Sequence, residues 1–138
     1  MEVDDIRLES DILVYLGGRL DNVCEVFNRI FKTNNLCLWG TEWDIPKYAG
    51  SSTRRIWGGG RVDMMFGNNE MYLPVELKYY ANAEGYYQIR RYVDMIKEKA
   101  KEKDVRGILL CKYATKSLKE LEIDDDIAII QLEPWKVW

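Results

Sequence analysis

The sequence contains no histidine, the side chain that most often serves as a general base and a metal ligand in enzymes. A Ser-His-Asp or Cys-His hydrolase and a histidine-bound zinc centre are therefore excluded. Its three cysteines, Cys24, Cys37 and Cys111, are an odd number without the spacing of a metal-binding pair, and they are expected to be reduced, buried thiols. Any catalysis must depend on carboxylates, lysine, tyrosine or backbone groups.

Long hydrophobic runs are also absent. Apolar runs such as 107–111 and 127–130 are much shorter than the roughly 20 residues that cross a bilayer, so no membrane-spanning segment is expected. Residues 1–10 alternate acids with isolated aliphatic residues and lack the basic start and apolar centre of a signal peptide. These features predict a cytoplasmic protein.

Basic residues do not outnumber acidic ones either. The chain has 20 Lys and Arg against 23 Asp and Glu, a net charge of −3, which disfavours a protein that coats nucleic acid through overall positive charge. If DNA is a partner, basic residues must be concentrated locally. Two clusters meet that need, although either could be a solvated surface. They are Arg54, Arg55 and Arg61 around a glycine-rich loop, and Arg90 with Arg91 in a predicted helix.

Length and composition indicate one soluble globular domain over residues 1–138, of which 47% are hydrophobic and 31% charged. In chain order the patterns predict a helix ending at Gly17-Gly18 and a segment over 20–31 that is either a second helix or the second half of one broken helix. They then predict a strand over 36–45 with a possible bulge at Gly40, a flexible loop over 46–60, strands over 61–66 and 71–78, a helix over 84–103, a strand over 105–111, a short helix over 115–122 and a strand over 127–132. The last three strands alternate with helices, which implies parallel crossovers in one sheet.

The strands over 61–66 and 71–78 flank a turn-rich connection and are expected to form a hairpin. Symmetric pairing places Phe66 opposite Met71, Met64 opposite Leu73 and Val62 opposite Val75. All three pairs are apolar, and this supports the register because a slip of one residue would destroy the match.

The opposite face of this hairpin collects two acids and a lysine. In the predicted register Asp63 lies opposite Pro74, and Glu76 is its diagonal neighbour at about 7–8 Å between backbones. Two carboxylates at that separation can share one Mg²⁺, which prefers oxygen ligands and retained waters. Lys78 points the same way and could orient or activate an attacking water. Taken alone, the pattern is also that of an ordinary cross-strand charge set on a solvated face.

Four segments in a fixed order extend this pattern: GRVD at 60–63, LPVELK at 73–78, QIRRYV at 88–93 and VRGIL at 105–109. In order and spacing they resemble the PD-(D/E)XK nuclease superfamily and, within it, the RecB-like and archaeal NucS-type branch. The resemblance runs from about residue 60 to residue 132 and more loosely from Glu9. The combination is much more specific than any single segment.

The resemblance implies an α/β fold with a restriction-endonuclease-like αβββαβ core, in which helices flank a mixed central sheet. It implies that Asp63 and Glu76 bind Mg²⁺ or Mn²⁺ and that Lys78 is the catalytic lysine of DNA phosphodiester hydrolysis. Gln88 and Tyr92 match the Gln-x-x-x-Tyr motif of this branch. Their spacing places them on one side of a helix, where they could support the metal site or hold a DNA phosphate. From the residues alone, Tyr92 could instead pack at the helix edge.

The family also places a metal-facing acid on the first helix. Glu9 is the best match, and Glu25 in the second helical segment is its rival. The resemblance makes a homodimer plausible, as expected when two DNA strands must be cut. Mismatch-specific members carry an additional N-terminal DNA-binding domain that this sequence does not include, so mismatch specificity is not expected.

The predicted DNA contacts are the two arginine clusters, one on each side of the phosphate backbone. Four tyrosines lie between them in sequence and could stack on unpaired bases, although Tyr86 could equally fill the seam between helix and sheet. These are Tyr79, Tyr80, Tyr86 and Tyr87. Two other functions stay open: a nuclease fold that binds DNA or assembles without catalysis, and an interaction protein that uses Trp135 and Trp138 as a partner surface.

Overall fold

The computed structural model describes residues 1–45 and 60–138, and its centre is a seven-stranded mixed sheet. After a short 3-10 turn at Val3–Asp5, the elements are α1 (Glu9–Gly17), α2 (Leu20–Phe31), β1 (Cys37–Ile45), β2 (Gly60–Gly67), β3 (Met71–Ala81), α3 (Ala83–Lys99), β4 (Asp104–Val105), β5 (Gly107–Ala114), α4 (Lys116–Lys119), β6 (Ile127–Leu132) and β7 (Trp135–Val137). The predicted loop over 46–60, with Arg54 and Arg55, lies outside the described residues except for its last position.

The sheet has the order β1-β2-β3-β5-β6-β7, and the short β4 pairs beside β3. The pairs β3–β5 and β5–β6 are parallel, as the alternation of strands and helices predicted, whereas β1–β2, β2–β3 and β6–β7 are antiparallel. One hydrophobic core lies between the sheet and α1–α2, and a second lies between the sheet and α3–α4. The predicted mixed α/β architecture is therefore confirmed, with helix, three strands, helix and strand in the expected order.

Several local predictions hold to the residue. The bounds of α2 and β6 are those predicted, and β1 shows an irregular register between Leu38 and Gly40, where a bulge was expected. The predicted helix over 84–103 ends earlier, at Lys99. Lys103, which was predicted to be helical, lies beyond the end of α3. Its ammonium donates to the Asn68 carbonyl oxygen at 3.2 Å and lies over the rings of Trp39 and Tyr72.

The antiparallel pairing of β2 with β3 is confirmed, but its predicted register is wrong by two residues. The observed pairs are Met64 with Val75, Met65 with Pro74, Phe66 with Leu73 and Gly67 with Tyr72. The turn is set by Asn68, whose side-chain oxygen accepts hydrogen bonds at 2.8 Å from the amides of Glu70 and Met71. A shift of two residues keeps every side chain on its predicted face, because side chains alternate with a period of two.

The C-terminal strand β7 was not predicted. It pairs with β6 at the edge of the sheet and follows the Glu133-Pro134 peptide bond, which is cis. Trp135 is exposed, whereas Trp138 is partly buried against the α3-side core. All three cysteines are free, and Cys111 is buried as expected, but Cys24 is only half-buried and Cys37, at the start of the edge strand β1, is exposed. Among the described helices, none has the length and apolar character needed to cross a membrane.

A buried lysine ties the N-terminal segment to the sheet. The Lys112 ammonium of β5 donates to the carbonyl oxygen of Ile6 at 2.7 Å and lies 3.7 Å from the Glu133 carboxylate. Its charge also lies over the rings of Tyr79 and Tyr113, at 5.6 and 5.2 Å from their centroids. A buried ammonium needs such partners to offset its lost hydration. The contact fixes the chain immediately before α1.

Helix α3 rests directly on the backbone of β5. A Cβ atom at Gly107 would lie 2.6 Å from the Val93 side chain and 3.0 Å from that of Ile89, both of which are fully buried. Glycine is therefore required for this close approach, which sets the position of α3 over the sheet.

We expect Gly107→Ala to lower the free energy of unfolding by about 1–3 kcal/mol, because the added methyl group forces two buried side chains apart. Urea unfolding measures this change. Gly17→Ala is the matched control, since a Cβ there meets no atom within 4 Å, and it should be neutral or slightly stabilising. Wild-type stability in Gly107→Ala would contradict the packing described.

Candidate active site

The carboxylates of Asp63 and Glu76 lie where backbone pairing between β2 and β3 stops. The last paired residues are Met64 and Val75. Beyond them, the Asp63 amide donates to Glu76 Oε1 at 3.1 Å, and the Leu77 amide donates to Asp63 Oδ2 at 2.8 Å. Each carboxylate accepts a hydrogen bond from the backbone of the opposite strand. The observed register thus makes the two acids direct neighbours, not the diagonal pair predicted.

Burial gives this acid pair unusual electrostatics. Glu76 is only 3% exposed, and burial raises its pKa to about 8, with the nearby charge of Asp63 as the second cause. Burial also raises the pKa of Asp63, against the opposing effects of the Leu77 amide and the Lys78 charge. Because like charges in a poorly hydrated site repel strongly, the pair favours either a proton on Glu76 or a bound cation.

Lys78 is brought to the acid pair as predicted from its strand position. Its positive charge lowers the pKa of both Asp63 and Glu76. A Cβ atom at Gly85 would lie 3.9 Å from Lys78 Cγ, which shows that the lysine side chain runs along the first turn of α3. Lys78 is partly exposed, so its ammonium can reach a ligand from solvent.

Of the two candidate acids in the N-terminal helices, Glu9 is the one directed to this site. It is the first residue of α1, and its charge contributes to raising the pKa of Glu76. Glu25 instead forms an exposed ion pair with Arg29 at 2.6 Å. Within residues 1–45 and 60–138, no three acidic or cysteine side chains converge closely enough to hold one metal ion. Glu9 therefore stands near the pair without completing a three-carboxylate cluster.

A further acid, Glu42, was missed by the sequence reasoning. Its neighbours in β1, Thr41 and Trp43, pair with Met64 and Val62 of β2, which places Glu42 beside Asp63. Its charge contributes to the raised pKa of Asp63. Its φ of 48° is in the left-handed region, which is uncommon for a residue with a side chain. The only signal in the sequence was an acid within an aromatic strand.

Gln88 and Tyr92 meet on one side of α3, as their spacing predicted. Gln88 Nε2 donates to the Tyr92 hydroxyl oxygen at 3.1 Å. The Tyr92 ring is buried and packs so closely on Gly60 that a Cβ atom there would overlap it. Tyr92 thus packs at the helix edge and also positions Gln88.

A polar pocket opens between the end of β3 and the first turns of α3. Its lining residues are Lys78, Tyr80, Asn82, Glu84, Gly85, Gln88 and Arg91. The pocket joins the lysine of the acid site to the polar face of α3. Tyr80 at its rim is 62% exposed, and Tyr87 is also exposed.

The two adjacent arginines of α3 have different surroundings, contrary to the prediction of one cluster. Arg91 is exposed and lines the polar pocket. Arg90 binds three carboxylates: Asp126 at 2.6 and 2.7 Å, Asp94 at 2.8 Å and Asp124 at 3.0 Å. Hydrogen bonds from Arg90 and Lys97 hold the pKa of Asp126 well below its usual range. Arg90 is therefore compensated within the fold.

The other predicted DNA contacts are spread more widely than the sequence suggested. Arg61 forms an exposed ion pair with Asp44 at 3.1 Å. Tyr86 is buried, and its hydroxyl donates to the Asp124 carboxylate at 3.0 Å, so it fills the seam between α3 and the sheet. The Tyr79 ring packs edge-on against Tyr113 with centroids 5.7 Å apart.

The fold and the site define an α/β protein in which a buried glutamate, a half-buried aspartate and a neighbouring lysine lie at the centre of a mixed sheet. Residues 55–137 match the family described as the endonuclease NucS C-terminal domain, and the chain belongs to this family. The predicted relation to NucS-type nucleases is thereby confirmed.

The crystal structure of a repair endonuclease from Pyrococcus abyssi aligns with a TM-score of 0.43 and 22% sequence identity, over 75% of this chain and 41% of that chain. The chain thus spans less than half the length of that endonuclease. No curated protein matches the sequence.

The raised pKa of Glu76 predicts a specific pH dependence of stability in metal-free protein. An unfolded glutamate ionises near its ordinary value of 4.5, whereas Glu76 in the fold ionises near 8. The folded state holds the extra proton between these values, so stability should fall as pH rises through this window and level off above it. Each pKa unit corresponds to about 1.4 kcal/mol.

Urea unfolding in a chelator across this pH range measures the effect. Glu76→Gln removes the titrating group and keeps its shape, so its profile should be flatter and it should be the more stable protein above about pH 8. Parallel profiles for wild type and variant would show that Glu76 ionises normally.

Proposed function

We propose that this chain is a Mg²⁺- or Mn²⁺-dependent DNA nuclease of the PD-(D/E)XK superfamily. The observation that carries the proposal is the acid pair Asp63 and Glu76, held across two strands by backbone hydrogen bonds and within reach of the Lys78 charge. Membership of the NucS C-terminal domain family supports it.

The donor set suits a hard divalent cation. Asp63 and Glu76 would hold it, since Mg²⁺ commonly takes one or two carboxylates and retains several waters. The two carboxylates repel each other when both are ionised, so a cation can favourably replace the proton that Glu76 otherwise holds. When bound, the ion supplies Lewis-acid polarisation of a phosphate and a more acidic water.

The surrounding residues then have separate roles. Lys78 orients the attacking water and offsets negative charge that develops on the phosphate. The amides of Asp63 and Leu77 fix the carboxylates before substrate arrives. Gln88, whose side chain is positioned by Tyr92, lines the polar pocket that also contains Lys78. Glu9 and Glu42 add negative charge around the pair, which favours cation binding.

DNA is the proposed partner, and the proposed contacts are arginines near the acid pair. Arg91 lines the pocket next to Lys78. Arg61 lies two residues before Asp63 on β2. Arg54 and Arg55, which precede β2 in the sequence, are also proposed to contact DNA. A homodimer is likewise a proposal, for cases in which both strands are cut.

A nuclease screen tests this function directly. We expect cutting of at least one of single-stranded, duplex, flapped and branched DNA in Mg²⁺ or Mn²⁺, and none in a chelator. Asp63→Asn, Glu76→Gln and Lys78→Met should each slow cutting by about 10²-fold or more, because each removes a group that stabilises the reaction. Lys101→Met is the matched control, since Lys101 is exposed beyond the far end of α3.

The alternative is a nuclease fold that binds DNA without catalysis. It is favoured by the absence, among the described residues, of a third close metal-binding side chain. Calorimetry separates the two functions: a nuclease binds Mn²⁺, and Glu76→Gln weakens that binding. No Mn²⁺ binding, no cutting of any DNA and persistent DNA binding in a chelator would establish the alternative.

A further inference from the structure

Lys112 is a buried cation that lies outside the acid site and binds the segment leading into α1. It is only 5% exposed, and its ammonium donates to the carbonyl oxygen of Ile6 at 2.7 Å. The Glu133 carboxylate is farther away, at 3.7 Å, so the contact with the backbone is the shorter one. Burying an ammonium costs free energy, and an apolar side chain would fill the same space without that cost. A role beyond packing is therefore expected for this lysine.

The segment that Lys112 binds is fixed at several points. The side chain of Ile6 is fully buried in the core between the sheet and α1–α2, while its carbonyl is held by Lys112. The two amides that follow Ile6 both donate to the Asp11 carboxylate, at 2.8 and 2.9 Å. Glu9 comes next, as the first residue of α1. These contacts leave the backbone between Ile6 and Glu9 little freedom to move.

The position of Glu9 depends on this backbone. Its side chain is exposed, and within residues 1–45 and 60–138 its carboxylate forms no ion pair that would hold it in place. Glu9 is nevertheless close enough to the acid pair for its charge to contribute to the raised pKa of Glu76. A displacement of the start of α1 would therefore carry this charge away from Glu76.

We infer that Lys112 is a positioning residue for the cation site: by holding the Ile6 carbonyl, it keeps the Glu9 carboxylate beside the acid pair and thereby strengthens the binding of Mg²⁺ or Mn²⁺. The inference rests on the proposed function, because it requires that Asp63 and Glu76 hold a cation. Lys112 itself contacts neither the cation nor the substrate. Residues that orient the groups around a metal site commonly change metal affinity by about 10–100-fold.

Replacing Lys112 tests this role because the two effects of the substitution have opposite signs. The loss of one positive charge, taken alone, would tighten the binding of a nearby cation and raise the pKa of Glu76 further. The loss of the contact with Ile6 would instead release Glu9, so cation binding would weaken and the pKa of Glu76 would fall. The direction of the change therefore separates positioning from a simple effect of charge.

Calorimetry with Mn²⁺ measures the effect on cation binding in the full chain. We expect Lys112→Met to weaken Mn²⁺ binding by about tenfold, because methionine keeps the apolar part of the side chain and removes the ammonium. Arg19→Met is the matched control. Arg19 also carries one positive charge and also donates to a carbonyl of the N-terminal segment, that of Met1 at 2.7 Å. Its replacement leaves Ile6 bound, so the Mn²⁺ affinity should stay near that of wild type.

A double variant shows whether Lys112 acts through Glu9. Glu9→Gln alone should weaken Mn²⁺ binding, and the addition of Lys112→Met should cause no further loss, because the carboxylate to be positioned is already absent. Additive losses in the double variant would overturn the inference. Wild-type or tighter Mn²⁺ binding in Lys112→Met would overturn it as well.

A metal-free measurement gives a second readout. Urea unfolding across the pH range in a chelator reports the ionisation of Glu76, and the fall in stability should level off at a lower pH in both Lys112→Met and Glu9→Gln than in wild type. Levelling off at a higher pH in Lys112→Met would indicate only a lost charge and would contradict the positioning role. Lys112→Gln, which removes the charge but keeps a polar donor, provides the same comparisons if the methionine variant does not fold.

The results also separate this inference from the proposed function. Wild type that binds no Mn²⁺ would refute both the cation site and the positioning role. Wild type that binds Mn²⁺, together with a Lys112→Met variant of unchanged affinity, would refute only the positioning role of Lys112.

Discussion

The placement of a buried carboxylate, Glu76, beside a half-buried one, Asp63, in a β-sheet is the constraint on which the rest of the site depends. Asp63 and Glu76 can be held there because amides that would otherwise pair β2 with β3 donate to them instead. Losing backbone pairs usually weakens a sheet. Here β3 stays ordered because β5 pairs with its other edge from Val75 to Ala81. The parallel pairing of β3 with β5 thus holds β3 in place where its antiparallel pairing with β2 ends.

The same constraint explains how the charges are distributed around the sheet. An acid pair in a poorly hydrated site needs positive charge nearby, yet the protein as a whole is acidic. Arg90 and Lys97 are committed to the carboxylate of Asp126 on the far side of α3. Lys78 and Arg91 instead line the polar pocket between the end of β3 and the first turns of α3. One helix therefore separates structural cations from cations that are available to a ligand.

Sequence patterns predicted the features that depend on local periodicity. The bounds of α2 and β6, the parallel crossovers and the shared face of Asp63, Glu76 and Lys78 follow from helical and strand spacing. Patterns did not predict features that depend on individual tertiary contacts. The hairpin register depends on the side chain of Asn68, and a symmetric pairing scheme does not include that interaction.

Other misses have the same physical origin. Two arginines that are adjacent in sequence point to different surroundings on a helix, so sequence proximity cannot tell the paired Arg90 from the pocket-lining Arg91. Glu42 is recognised only from its pairing position in β1. The NucS-type resemblance identified the acid pair and the lysine, whereas the groups around them required coordinates.

The hydrogen bond from Lys112 to the carbonyl of Ile6 joins positions 106 residues apart in the chain. A contact of such high sequence separation cannot form early, because closing a long loop has an entropic cost that only an assembled sheet can offset. During synthesis this hydrogen bond can form only after β5 has emerged, whereas α1 also packs on β3, which emerges earlier. The position of the helix that carries Glu9 therefore depends on a strand from the last third of the chain.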